Sequence, residues 1–160
     1  GIFDSALDIF RFTGGSDDTR AALYASALEV LRTSPLAGVG LGQIMDTAQA
    51  LFPDLKPAFT LDNLHADWAN FAAMAGGLGL LAWLLLLAAP LMLLIDPRCR
   101  RDRPIVLGAI LLCVGQFTLG VSNATFGILP QTTLFAVALG YFLARARRLT
   151  ERPERPPVTP

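Results

Sequence analysis

The stretch that decides the fold runs from Leu61 to Ile95, LDNLHADWANFAAMAGGLGLLAWLLLLAAPLMLLI. From Ala72 to Ile95 it carries no charge, a length above the roughly 20 apolar residues needed to cross a bilayer core. The composition agrees with lipid as the solvent: 53% of residues are hydrophobic, 16% are charged and mean hydropathy is +0.51. A soluble domain usually carries about 25% charged residues. His65, the only histidine, stands at the mouth of this run, at a membrane–water boundary. An imidazole there is wetted from one side and walled by lipid or protein on the other, a setting suited to proton transfer.

Two more apolar runs follow. The spans are expected at about 67–95, 105–121 and 126–144, separated by DPRCRRDRP and by SNAT and followed by RARRLTERPERPPVTP. The formal net charge is zero, yet the charges are segregated. Arg98, Arg100, Arg101 and Arg103 fill the first short loop, and Arg145, Arg147, Arg148, Arg152 and Arg155 the tail, so the positive-inside rule places both in the cytoplasm. His65 and residues 1–64 then lie outside, where eight acidic residues face four basic ones. The expected fold is an all-α integral membrane protein: an outer, periplasmic loop region with a short amphipathic helix, then three transmembrane helices within 65–145. Residues 146–160, rich in Pro and Arg, are expected to be a disordered cytoplasmic tail. The chain opens at Gly1 with no basic n-region or cleavage site, so further helices are expected before it. Cys99 and Cys113 suggest neither a disulfide framework nor a zinc site.

In the outer region, Ser16 with Asp17 and Asp18 forms an N-cap signal, and a helix over about 17–33 ends at Ser34-Pro35. Arg20, Tyr24, Ala27 and Leu31 share one stripe of it, with Glu29 roughly opposite. A guanidinium beside free helix N–H groups is a good place to hold a phosphate or pyrophosphate; the plainer alternative is a surface arginine lying over Tyr24. The following PLAGVGLGQ lacks the preceding strand and the Lys-Ser/Thr ending of a phosphate-binding loop, so its glycines are read as a tight reversal close to the membrane surface. In the first span His65, Ala69, Ala72, Gly76, Gly79 and Trp83 fall on one helical stripe, the small residues marking close approach of another helix. Asp67 and Asn70 flank His65 and are candidate polar contacts for a ligand. No second histidine or nearby cysteine offers a metal site.

The succession RAALY at Arg20, SPLAGVGLGQ at Ser34 to Gln43, LHADWANF with GGLGLL within Leu64 to Leu81, and GVSNATFGILPQTTLFAVALGYFLA from Gly120 resembles the O-antigen ligase family. That family joins lipopolysaccharide O-antigen ligases with O-antigen polymerases and some protein O-oligosaccharyltransferases. The resemblance implies a multi-pass bacterial inner-membrane glycosyltransferase working on its periplasmic face. It implies transfer of a glycan from an undecaprenyl-pyrophosphate carrier to an acceptor hydroxyl, for ligases on lipid A–core, without metal, cofactor, nucleotide sugar or nucleic acid. His65 matches the family's essential histidine, proposed as the base, and Arg20 its pyrophosphate-holding loop arginine. Where the family often has His-Asn or His-Ser, this chain has His65-Ala66-Asp67. Nothing in these residues reads the acceptor, so polymerase and protein-glycosylating activities stand beside ligation. A non-enzymatic alternative is part of a polytopic transporter or scaffold, which would carry ionisable groups at mid-membrane depth; the apolar runs hold only Gln116 and Thr118 as polar groups there.

Overall fold

The computed structural model describes residues 16–53 and 63–151, and every regular element among them is helical. The helices are α1 (Ser16–Thr33), α2 (Ile44–Leu51), α3 (Asp67–Ala88), α4 (Pro97–Arg100), α5 (Arg103–Ser122) and α6 (Leu129–Thr150). Short 3₁₀ turns at Leu41–Gln43 and Ala89–Ile95 lead into α2 and out of α3. Among the described residues two helical runs are long and apolar enough to cross a membrane, Asp67–Ile95 with 29 residues and Arg103–Ser122 with 20. The first has the bounds expected from the sequence. The third apolar run becomes helical only at Leu129 and continues to Thr150, beyond the expected Ala144. That extension takes in Arg145, Arg147 and Arg148, so the first residues of the expected tail are helical, and those from 152 onward lie outside the described residues.

The described chain forms two compact units, one within 16–86 with 118–127 and the other within 87–117 with 128–151. In the first, α1 buries Leu23, Tyr24, Ala27 and Val30 at helical spacing. They share a core with Ile44 and Ala48 of α2, with Leu64 and Ala66 just before α3 and with Ala69 and Ala73 within it. Ser26, buried on the same face, donates to the Leu23 carbonyl at 2.7 Å, which makes its burial tolerable. Expectations on residues 1–15, on the N-cap role of Ser16 and on the side chains of Asp17 and Asp18 fall outside what is described.

α3 is not a smooth rod. At Ala75 (φ −141°, ψ 22°) and Gly76 (φ 59°, ψ −140°) the backbone leaves helical geometry. An unbroken helix would pair the carbonyls of Ala73 and Met74 with N–H groups four residues on. Instead the glycine loop supplies the donors, Val39 N to Ala73 O at 2.8 Å and Gly40 N to Met74 O at 2.9 Å, while Gly77 N donates to Pro35 O at 2.6 Å. The loop itself is closed by Gly38 N to Ser34 O at 3.1 Å and by the Ser34 hydroxyl to Gly38 O at 2.9 Å. Gly38, at φ +62°, lies so close that a Cβ would stand 2.4 Å from Ala73 O. A Cβ on Gly76 would meet the Leu36 carbonyl carbon at 2.7 Å, and one on Gly79 the Phe71 oxygen at 1.9 Å. The expected reversal is therefore a plug for a broken helix. The small residues of α3 likewise admit this loop and the helix's own displaced turn, which corrects the reading of Gly76 and Gly79 as a seat for another helix.

In the second unit, Leu93, Cys99, Ile105 and Ala146 form a core, with Leu94, Leu139, Phe142 and Leu149 packed on it. Asp96 caps α4 through Arg98 N at 2.7 Å. Asp102 accepts from Ile105 N at 3.1 Å and from Arg145 Nε and Nη2 at 3.0 and 2.9 Å. That guanidinium holds the Asp102 carboxyl below the usual carboxylate range. Burial, with Asp96 and Asp102 nearby, pushes the Cys99 thiol up, so it stays protonated.

Candidate functional site

The segment around His65 is held from both ends. Asn63 Oδ1 accepts from His65 N at 2.8 Å, and Asn70 Oδ1, one turn into α3, accepts from Leu64 N at 2.9 Å. Leu64 and Ala66 are fully buried. Half-buried between them, His65 adopts φ +55°, the one positive φ among the described non-glycine residues. That conformation costs an L-residue on the order of 1–2 kcal/mol and persists where the surroundings over-determine it. Here two side-chain amides and two buried neighbours do so. Among the described residues the imidazole itself has no hydrogen-bond partner.

α3 starts at Asp67, so His65 precedes the helix instead of belonging to its stripe. The expected alignment of His65 with Ala69 and Ala72 is thereby corrected: the left-handed turn at His65 breaks the helical period before it begins.

Asp67 and Asn70 take up backbone. The Asp67 carboxylate is fully buried and accepts from Thr125 N at 2.7 Å, Phe126 N at 2.8 Å and the Thr125 hydroxyl. Its own N–H donates to Asn123 O at 3.3 Å. Gly120 makes room, since a Cβ there would stand 2.8 Å from Asp67 Oδ2. The carboxylate thus staples the 123–126 turn to the base of the histidine segment, and Phe71 and Phe126 meet edge-on beside it with centroids 6.3 Å apart. Asn70 spends its side-chain oxygen on Leu64 N, leaving its NH₂ as the group it can offer a ligand.

Arg20 is exposed, one turn before the buried Tyr24. The Tyr24 ring packs against Trp68 at 5.3 Å between centroids, which seats this part of α1 on the first turn of α3. Burial pushes the Tyr24 phenol up, and the Arg20 charge pulls it the other way. No ion pair or hydrogen bond to a described residue engages the Arg20 guanidinium. The arrangement sets on a fixed backbone an imidazole that no described residue engages and, through Tyr24 and Trp68, on the helix packed beside it a guanidinium that no described residue engages.

Two residues that matter here were not singled out from the sequence. Asn63 carries a readable signal, since an asparagine two residues before a strained position is a common local backbone acceptor. Thr125 carries none, because its partner lies 58 residues away in Asp67; Gly38 is legible as a reversal glycine, but its close approach to Ala73 in a separate helix leaves no local signal. Compared with known proteins, the chain matches no family model, no curated protein and no solved structure.

Proposed function

We propose that the chain contributes the catalytic histidine and a pyrophosphate-binding arginine to a membrane glycosyltransferase of the O-antigen ligase type. In this reading α6 is a third transmembrane helix, the Arg-rich turn and tail face the cytoplasm, and α1, α2 and His65 face the periplasm of a bacterial inner membrane. The donor is a glycan on undecaprenyl pyrophosphate, and the acceptor is a hydroxyl, that of lipid A–core in ligation. His65 takes the proton of the attacking hydroxyl as the glycosidic bond forms and the bond to the pyrophosphate breaks. General base catalysis of this kind is typically worth about 10²–10⁴-fold. Arg20 stabilises the charge that gathers on the departing pyrophosphate. Asn63, Asp67 and the Asn70 oxygen position the histidine segment, and the Asn70 NH₂ is a contact for the glycan.

The observation that carries the reading is His65 itself, held at φ +55° by two asparagines while its ring is left unpaired among the described residues. Strain of this kind gathers at functional sites. A broken helix also favours a transporter, in which open backbone groups at the break hold substrate or ions. At this break the carbonyls of Ala73 and Met74 already accept from Val39 N and Gly40 N, as helical carbonyls would, which weighs against an open backbone site for substrate there.

The test is transfer from purified lipid-linked glycan to acceptor by the reconstituted full-length protein. Arg20→Lys keeps the charge but loses the planar fork, and should slow transfer about tenfold or more, the worth of one charge-assisted hydrogen bond. Wild-type rates in that variant would return Arg20 to a surface residue over Tyr24.

A further inference from the structure

Seven arginines and three carboxylates lie between Asp96 and Glu151. Four of the arginines sit in the turn between the two apolar runs, which end at Ile95 and begin at Arg103 and so mark a membrane–water boundary by length. The end of α6 is fastened to that same turn. Arg145 grips Asp102 through two nitrogens, and Arg98 Nη1 donates to Thr150 O at 2.9 Å. The boundary therefore passes at the level of residues 145–150 as well.

The arginines of α6 differ in what they already hold. Arg145 is bound to Asp102, and Arg147 Nε pairs with Glu151 at 2.6 Å. Arg148 is exposed and engages no described residue by hydrogen bond or ion pair. It lines an open cavity of about 310 Å³ whose other walls are Tyr141, Ala144, Arg145 and Leu149. The polar lining offers one guanidinium that no described residue engages, one bound to Asp102, and a phenol hydroxyl. The rest of the lining, on the same face of α6, is methyl and isobutyl.

We propose that this cavity binds the headgroup phosphate of an anionic phospholipid, with Arg148 as its main charge partner. A guanidinium fork matches a phosphodiester, tyrosine is favoured at headgroup depth, and basic pockets at the cytoplasmic ends of membrane helices hold anionic headgroups. A free phosphate shares the anion chemistry, but Ala144 and Leu149 suit the glycerol and first methylenes that only a lipid brings. The inference rests on the membrane part of the proposed function and uses none of the residues assigned to transfer.

Purified full-length protein is incubated with phosphatidylglycerol or with phosphatidylcholine of the same chains, and bound lipid is counted by native mass spectrometry. Wild type should retain phosphatidylglycerol preferentially, and Arg148→Gln should lower that retention about fivefold. Arg101→Gln, a control on the neighbouring turn outside the cavity wall, should lower it far less. Equal retention of the two lipids, or equal losses in the two variants, would overturn the site in favour of diffuse charge. Displacement of the lipid by millimolar inorganic phosphate would overturn the lipid assignment in favour of a phosphate site. Extraction of the protein from membranes by carbonate is a separate readout: release would overturn the membrane reading, and this site with it.

Discussion

Gly38→Ala tests the stitched break in α3 most sharply. An added Cβ at Gly38 would stand 2.4 Å from Ala73 O, 2.6 Å from Ala75 N and 2.7 Å from the Met74 carbonyl carbon. All three are backbone atoms, which cannot swing aside as a side chain would. A φ of +62° adds about 1–2 kcal/mol for any residue with a Cβ. If the loop retreats, the bonds from Val39 N and Gly40 N are lost at about 1 kcal/mol each, more if the carbonyls they served stay buried. The total is about 3–5 kcal/mol, a large share of a typical domain's stability of roughly 5–15 kcal/mol. Two other glycines of the loop give the scale. Gly40 has φ +84° but open space around it, so Gly40→Ala should cost about 1–2 kcal/mol. Gly42 has open space and no positive φ, so Gly42→Ala should be neutral or stabilise by up to about 1 kcal/mol. Chemical unfolding in detergent, followed by tryptophan fluorescence, ranks the three. Equal effects at all three positions, or a Gly38→Ala protein as stable as wild type, would refute the reasoning.

Asp67→Ala strands Thr125 N and Phe126 N without their acceptor and should destabilise the protein by about 2–4 kcal/mol, read as a lowered unfolding midpoint. A loss below about 1 kcal/mol would mean that the carboxylate is not the staple described. Asp102 is held below the usual carboxylate range by Arg145, so its stabilising contribution is present above the unfolded carboxyl pKa of about 4 and fades as pH falls through the depressed folded value. Wild type should therefore melt above Asp102→Asn at pH 7, with the gap closing under acid; a gap that widens on acidification contradicts the pair.

The run from Asp67 to Ile95 was legible because no residue after Asp67 carries a charge, which leaves little room for another reading. The break inside it was not. A Gly76-Gly77 pair in an apolar run suits close helix packing as well as a kink, and the choice was made by the Ser34–Gly40 loop, whose N–H groups replace the missing helical donors. Asp67 and Asn70 were found by type and position, yet their spent acceptors lie on Thr125, Phe126 and Leu64, partners that no local pattern reveals. Local periodicity also extended a helical stripe back to His65, because an asparagine-held left-handed residue leaves no trace in hydrophobic spacing. Of the stripe read with Arg20, Tyr24 and Ala27 are buried, Leu31 is half-buried and Arg20 itself is exposed.

The central claim is that the His65 imidazole is the base. Asparagine is the substitution that isolates it, since among non-glycine residues Asn is one of those that best tolerate a left-handed backbone, and the fold at φ +55° should survive. The measurement is single-turnover transfer from purified lipid-linked glycan by reconstituted wild type and His65→Asn, with and without added free imidazole, alongside unfolding curves of both. The account predicts unchanged stability, a rate lower by about 10²–10⁴-fold, and partial recovery as imidazole is added. Transfer at the wild-type rate by a stably folded His65→Asn protein would contradict it.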